Sequence, residues 1–320
     1  MAIRVGLVGA GCSGRAHLEC LARTAEAQVV AVCDTDRKRA EEAAAPFGAA
    51  AHINFRTLLE AQRLDAVFVC TPPFARGELE IAAARAGIHL FVDPPVALNP
   101  EKARQVQKEI EKSGIVASVG FLWRYFSGMA QAQELLKKRK PALVRGVHVA
   151  ALPPPGWRRK TETCGGLPAL LAGDLIDAAR CLAGEMAAIG AVQFQGATAA
   201  RLPDCDLEDA VAAVVRFQSG VAGEFVTSII SPRHELALTV LADELELRLT
   251  ETEIEVVEAG RRACVEHAGC ALQKAQQAFL DAVRDGHAGG VRATYADAVR
   301  CLEVAVGARS AAQTGRMVSL

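Results

Sequence analysis

Ile3-Arg4-Val5-Gly6-Leu7-Val8-Gly9-Ala10-Gly11-Cys12-Ser13-Gly14 is the stretch on which the reading of the chain turns. Ile3 to Val8 is a short apolar run of the kind that forms a buried strand. From Arg15 to Arg23 the residues Leu18, Leu21 and Ala22 fall at helical spacing. Between them lies Gly-x-Gly-x-x-Gly. In this setting Gly9 permits a tight turn, Gly11 lets the backbone approach a pyrophosphate, and Gly14 lets helix and strand pack closely. The first helical turn, with Cys12 and Ser13, offers unpaired N–H groups and a partial positive charge to phosphates. A second apolar run, Val29 to Cys33, ends in Asp34, 20 positions past Gly14, where a ribose-binding carboxylate is expected. NAD is therefore the expected cofactor, because the same carboxylate repels a 2′-phosphate. Arg37, Lys38 and Arg39 offer that phosphate a partner, so NADP stays open as the alternative.

Alternation of strand and helix continues to about residue 120. A charged helix over 37–45 is broken at Pro46. A buried strand over 64–70 stops at Thr71-Pro72-Pro73, since proline cannot continue a central strand. A helix over 77–86 ends before Gly87, a strand over 89–93 stops at Pro94-Pro95, a helix over 100–113 ends at Gly114, and a strand follows over 115–121. This pattern predicts an α/β Rossmann domain over 1–121, a doubly wound parallel sheet. Ligands of such sheets bind at the carboxyl ends of the strands. Gly9, Asp34, Thr71 with Pro72, and Asp93 with Pro94 all fall there.

Residues 122–320 read differently. A helix over 129–138 leads to a strand over 143–151 and then to the loop Pro153-Pro154-Pro155-Gly156-Trp157. A helix over 168–183 precedes strands over 189–195, 211–217, 221–230, 236–241, 245–249 and 254–257. Leu245, Leu247 and Leu249 alternate with Glu246 and Arg248, which gives one wet face, and Ser219-Gly220 reads as a hairpin turn. The expectation is an α+β substrate and oligomerisation domain with a large, mostly antiparallel open sheet. Its last helices, around 279–283 and 299–306, are candidates for packing back on the first domain. The helices are too few to cover both faces of the sheet, so a homodimer or homotetramer is expected.

Composition limits the alternatives. The chain has 320 residues, enough for two domains, 51% hydrophobic residues and a formal net charge of −1. Interspersed charges argue against nucleic acid as the partner, and no apolar run approaches the length of a membrane span. No secretory signal is read at the N-terminus. None of the ten cysteines forms a CxxC pair; they read as small buried residues in a reducing cytoplasm. Cys264, His267 and Cys270 are spaced like ligands but lack a second half-site, so no metal is expected.

Taken in order, Gly9-x-Gly11-x-x-Gly14 with His17, Cys70-Thr71-Pro72, Ala86-Gly87-Ile88-His89 and Val119-Gly120-Phe121 with Arg124 resemble the glucose–fructose oxidoreductase/inositol dehydrogenase (Gfo/Idh/MocA-type) family. So do Cys164-Gly165-Gly166, Glu208-Asp209, Phe217-x-Ser219-Gly220 and the ending Ser310 to Val318. The resemblance spans nearly the whole chain and implies NAD(P)-dependent dehydrogenation of a sugar, polyol or other hydroxylated small molecule. It also implies oligomer formation. The chain departs from the family where the chemistry should be. The family's usual Glu-Lys-Pro is Asp93-Pro94-Pro95, its Asp is Leu170, its His is Asp174, and a His common nearby is Arg76, while the last Asp is kept as Asp177.

A positioned general base is worth roughly 10²–10⁴-fold, and Pro94 cannot act as one. On one helix Leu170, Asp174, Asp177 and Cys181 form a stripe beside the apolar stripe Leu171, Leu175, Ala178 and Leu182. Asp174 and Asp177 are therefore the candidate catalytic residues, and the resemblance places Arg124 and Trp157 on substrate-contacting loops. Lys160 is a further candidate for the missing amine, and His17 is read as packing. Three functions remain open. One is an oxidoreductase with an atypical active site. The second is a catalytically degenerate dinucleotide-binding protein with a sensor or assembly role. The third is an enzyme that uses bound NAD for other chemistry.

Overall fold

The computed structural model describes residues 2–198 and 200–320 and divides into two compact units. The first comprises the chain up to Phe121 together with Cys270–Val299. Its elements are β1 (Ile3–Val8), α1 (Cys12–Leu21), β2 (Ala27–Cys33), α2 (Arg37–Ala44), β3 (Ala50–His52), α3 (Phe55–Ala61), β4 (Ala66–Val69), α4 (Glu78–Arg85), β5 (His89–Val92), α5 (Pro100–Ser113) and β6 (Ala117–Val119). The sheet order is β3-β2-β1-β4-β5-β6 and every neighbour is parallel. This is the doubly wound α/β order, whose ligand crevice opens where the strand order reverses, between β1 and β4. Val5, Leu7, Val67, Phe68, Leu90 and Phe91 are fully buried, as strands covered on both faces require.

The second unit holds Leu122–Gly269 and Arg300–Leu320. It contains α6 (Ser127–Leu136), β7 (Pro141–Val149), α7 (Thr161–Cys164), α8 (Leu167–Leu171), α9 (Gly173–Ala183), β8 (Met186–Phe194), β9 (Ala210–Phe217), β10 (Ala222–Ser228), β11 (Glu235–Ala242), β12 (Leu245–Thr250), β13 (Glu253–Glu258) and β14 (Arg261–Glu266). After these, α10 (Ala271–Asp285) returns to the first unit, and α11 (Tyr295–Thr314) and β15 (Val318–Ser319) end the chain. The nine-stranded sheet runs β14-β13-β12-β11-β7-β10-β9-β8-β15, with β7 and β10 its one parallel pair. α8 and α9 cover one face. Gly146 on β7 admits this packing: a Cβ there would run into the Phe225 ring and lie 3.3 Å from Leu175 Cδ1.

The sequence pattern is departed from in three places. The single helix expected over 168–183 is two, α8 and α9, broken at Ala172 just before Gly173, a weak helix former. Leu170 therefore does not continue the stripe of Asp174, Asp177 and Cys181. β3 and α3, of three and seven residues, are too short for a period to signal them. β14, exposed along its whole length, is a charged edge strand without alternation. No helix among the described residues is long and apolar enough to cross a membrane.

Gly146→Ala should overpack this sheet–helix contact and lower stability by about 1–3 kcal/mol. The change reads out as a lower urea midpoint.

Candidate functional site

The glycine turn after β1 is built from collisions avoided. Gly9 has φ +99°, and a Cβ there would sit 2.7 Å from the carbonyl carbon and oxygen of Cys70. A Cβ on Gly14 would strike the Gly9 carbonyl oxygen. Gly11 is different: nothing lies within 4 Å of its Cβ position, so its small size serves what approaches from outside. Gly11 is also the N-cap of α1 and no side chain caps that helix. The first-turn N–H groups, from Cys12 onward, thus lack side-chain partners and suit a pyrophosphate. Asp34 Oδ2 accepts from the Ala10 N–H at 2.9 Å and Oδ1 from the Asp36 N–H at 3.0 Å. Arg39 Nη2 stands 3.4 Å from Asp34 Oδ1, whereas Arg37 and Lys38 pair with Glu41 and Glu42 along the helix.

The ends of β4 and β5 meet α1 through a buried polar group. The Ser13 hydroxyl donates to Asp93 Oδ2, and His17 Nε2 lies 2.9 Å from Asp93 Oδ1. Behind it, His17 Nδ1 is 2.7 Å from the Gln276 side-chain amide on α10. The imidazole packs against Phe68 and Phe91, with ring centroids 5.4 and 5.2 Å away. Burial pushes the Asp93 carboxyl up, but the His17 charge and the hydrogen bonds from His17 and Ser13 outweigh it, and the net shift is downward. Ser13 thus turns its hydroxyl inward and leaves its backbone N–H for a ligand. His17 is a packing residue with a second task, holding Asp93.

The Cys70 thiol lies beside this pair and stays protonated, its pKa raised well above normal by burial and by Asp93. At Thr71 the carbonyl accepts from Arg76 Nε at 2.8 Å and Nη2 at 2.6 Å, so the arginine at 76 clamps the turn that carries Thr71 and Pro72. Pro94 follows Asp93 and is joined to Pro95 by a cis bond. Gln276 was invisible in the sequence, since it stands 259 residues from His17 and carries no motif.

In the second unit Asp177 is fully buried and its carboxylate is occupied. Arg124 grips it in two places, Nε to Oδ2 at 2.8 Å and Nη2 to Oδ1 at 2.6 Å. Arg180 Nη1 lies 3.7 Å from Oδ1, and the Cys301 thiol, its pKa raised well above normal by burial and by Asp177, lies at the same distance. Arg180 extends the chain of charges to Glu185 through bonds of 2.9 and 2.8 Å, and Arg300 adds another at 2.7 Å. The hydrogen bond from Arg180 is the main cause that holds the Glu185 carboxyl below the usual range. Asp177 and Arg124 therefore form one buried ion pair.

Asp174, in the first turn of α9, is half-buried. Trp157 stacks under the Arg158 guanidinium at 4.5 Å and packs on the cluster of Cys164, Leu167, Cys205, Leu207, Val211 and Ile229. Lys160 Nζ is 3.9 Å from Asp206. His267 stacks on Phe126 and bonds the Thr250 carbonyl at 3.0 Å, while Cys264 and Cys270 are exposed free thiols. One residue of this unit gave no sequence signal. His148, in β7, bonds through Nδ1 to the Leu171 carbonyl at 2.7 Å; a single histidine in an apolar strand has no spacing to read.

Residues 3–121 match the family model described as "Oxidoreductase family, NAD-binding Rossmann fold", and residues 137–255 match the GFO/IDH/MocA C-terminal domain. The chain belongs to the GFO/IDH/MocA oxidoreductase family, and its first unit is an NAD-binding Rossmann fold. It is 35% identical over 160 residues to the inositol 2-dehydrogenase/D-chiro-inositol 3-dehydrogenase of Lacticaseibacillus casei. That match covers 47% of this chain and 45% of the relative, so the chain spans about half the length of that curated relative. Levoglucosan dehydrogenase of Pseudarthrobacter phenanthrenivorans is 28% identical over 257 residues, 69% of this chain and 66% of the relative. The fold is shared with solved levoglucosan dehydrogenase in complex with NADH and levoglucosan. The TM-score is 0.89 at 22% identity, covering 100% of this chain and 99% of that one.

Asp177→Asn should take away the buried carboxylate that Arg124 grips, while Arg180 keeps its bonds to Glu185. Removing one partner of such a pair costs about 3–5 kcal/mol, which calorimetric or denaturant unfolding would register.

Proposed function

We propose that this protein is an NAD-dependent dehydrogenase of a sugar-like or other hydroxylated small molecule, with proton-transfer groups unlike those usual in its family. The observation that carries the reading is the glycine turn: Gly9 and Gly14 are sterically required, Gly11 faces open space, α1 has no side-chain cap, and Asp34 stands at the end of β2. In this reading the backbone N–H groups of Gly11, Cys12, Ser13 and Gly14 hold the pyrophosphate and Asp34 takes the ribose hydroxyls. Thr71-Pro72 and Asp93-Pro94 shape the nicotinamide end. The relatives' names, inositol and levoglucosan dehydrogenase, support a substrate rich in hydroxyls. Asp174, half-buried in the first turn of α9, is the carboxylate assigned to the substrate in this reading. Asp177 with Arg124 braces that helix, and Trp157 anchors the preceding loop. Bound NAD supplies the hydride acceptor.

Pro94, Leu170 and Asp174 favour a second reading, in which the dinucleotide is bound and not turned over, for sensing or assembly. Calorimetric titration with NADH and NADPH, followed by a screen of polyols and sugars with NAD that monitors NADH absorbance, separates the two. Tighter binding of NADH than NADPH and turnover of at least one polyol or sugar are expected. Tight binding without turnover on any compound supports the second reading, and failure to bind either nucleotide sinks both.

We also propose a homodimer in the cytoplasm. The sheet face opposite α8 and α9 exposes Val192, Phe194, Val214 and Val226, with Val192 70% exposed. In register, Val226 lies between Ala212 and Val147, so the exposed side chains form an apolar stripe. The Arg145–Glu224 ion pair, 2.5 Å long, sits on neighbouring strands at its margin. Stripes of this kind are seldom left in water. All ten cysteines are free, which fits a reducing compartment. Light scattering should give about twice the 33.8 kDa chain mass, and Val214→Glu should shift it toward one chain mass. A wild-type mass near one chain at micromolar concentration would refute the dimer.

A further inference from the structure

The first unit gathers more ligating chemistry at one point than dinucleotide binding needs. Among the described residues, His17, Cys70 and Asp93 are the three metal-ligating side chains that come together. An imidazole nitrogen, the thiol sulfur and a carboxylate oxygen all lie within 4.8 Å of one another. Cys264, His267 and Cys270, spaced like ligands in the sequence, are not gathered in this way. His17 belongs to α1, Cys70 follows β4 and Asp93 follows β5, so the group converges from three elements of one unit.

The donor set is that of a borderline-soft cation. An imidazole, a thiolate and one carboxylate suit Zn²⁺, whereas Mg²⁺ and Ca²⁺ favour oxygen throughout. Around a tetrahedral Zn²⁺ such atoms lie roughly 3.3–3.6 Å apart. His17 Nε2 and Asp93 Oδ1 stand 2.9 Å apart and need to open by a few tenths of an ångström. The thiol needs to close in by about 1 Å at most. Charge also balances. Thiolate and carboxylate together offset the two positive charges of the cation, so the loaded centre is neutral, as suits an imidazole packed on Phe68 and Phe91. Arg76, whose charge acts on both Asp93 and Cys70, is itself matched by Glu80 at 4.0 Å.

Gln276 adds an independent observation. It is fully buried, its Nε2 is 2.7 Å from His17 Nδ1, and its Oε1 has no partner among the described residues. The two ends of an amide have nearly the same shape, so turning it over sets the orphaned oxygen against Nδ1. There it accepts the Nδ1 proton and leaves Nε2 bare for a cation, the outer hydrogen bond that a metal-bound imidazole normally makes. The turn gives up the longer bond, 3.3 Å, from the amide to the His17 carbonyl. Ser13, which donates to Asp93 Oδ2, is exposed, so water and a hydrated cation reach the carboxylate from that side.

We propose that His17 Nε2, Cys70 Sγ and an oxygen of Asp93 form a Zn²⁺ site, with water as the fourth ligand. As the Zn–S bond forms, the thiol proton leaves to water, because the thiolate is the ligand. No electron is transferred. The bound cation ties α1 to the ends of β4 and β5. The site does not depend on the dehydrogenase reading, and its test is run without nucleotide.

The full-length protein, reduced and stripped with a chelator, is titrated with Co²⁺ as a coloured stand-in for Zn²⁺. One Co²⁺ per chain is expected, with a thiolate charge-transfer band in the near ultraviolet and visible d–d bands of four-coordinate strength. Added Zn²⁺ should bleach both, and Zn²⁺ alone should raise the thermal unfolding midpoint. Cys70→Ser and Cys70→Ala should each abolish the charge-transfer band, and Asp93→Asn should weaken Co²⁺ binding at least about 10-fold. Circular dichroism without metal checks that each variant is folded. Cys264→Ser combined with Cys270→Ser should leave the band and the stoichiometry unchanged. A wild type that binds no Co²⁺ at micromolar concentration, or binds it without the charge-transfer band, overturns the proposal. So does a band that survives in folded Cys70→Ser, or one that the Cys264→Ser, Cys270→Ser pair removes, since the metal then sits on other thiols.

Discussion

The first unit depends on one close approach. α1 packs so near the end of β1 that the Cα of Gly14 sits against the Gly9 carbonyl, and Gly9 itself presses on the backbone of Cys70 at the end of β4. No side chain larger than hydrogen fits either contact. The approach matters because it brings the uncapped N-terminus of α1 to the point where the strand order reverses, between β1 and β4. Two carboxylates hold the arrangement from either side. Asp34 bonds the Ala10 N–H within the turn, and Asp93 takes the Ser13 hydroxyl and the His17 imidazole from α1. The glycine turn is thus held in one conformation by its own contacts, which leaves little ordering cost for a ligand.

Buried charge organises the second unit in the same spirit. Asp177 with Arg124 and Arg180, and Arg180 with Glu185 and Arg300, form a run of ion pairs that ties α9 to the turn at Leu122–Tyr125 and to α11. Such a run adds little net stability over an apolar core, but each member is costly to remove. Its consequence for function is indirect. α9 is held in one position, so the junction with α8 and the side chains around it, Asp174 and the Leu171 carbonyl with His148, are presented in a fixed geometry.

The strands of the first unit were legible because they are apolar on both faces and are punctuated by glycine and proline. Ile3–Val8 is a strand as expected, and Asn99 accepts from the Lys102 N–H at the start of α5, the helix expected over 100–113. β3, α3 and β14 were not legible, being short or polar, and their pairing partners alone make them regular. The helix written as 168–183 showed a continuous period in the sequence, and only the structure reveals the break at Ala172.

What the sequence determined by itself was everything that depends on neighbours a few residues apart: the glycine turn, Asp34 at the strand end, the alternation of Leu245, Leu247 and Leu249, and the absence of a base at Pro94. Tertiary structure decided the rest, because a side chain's chemistry is set by whichever groups the fold brings against it. Asp174 and Asp177 read alike in sequence, yet Asp177 is sealed in an ion pair with a residue 53 positions away while Asp174 stays half-open. Gln276 reaches His17 across 259 residues, and His148 meets a carbonyl 23 residues on. No spacing rule encodes these meetings, since they exist only after the strands and helices have packed.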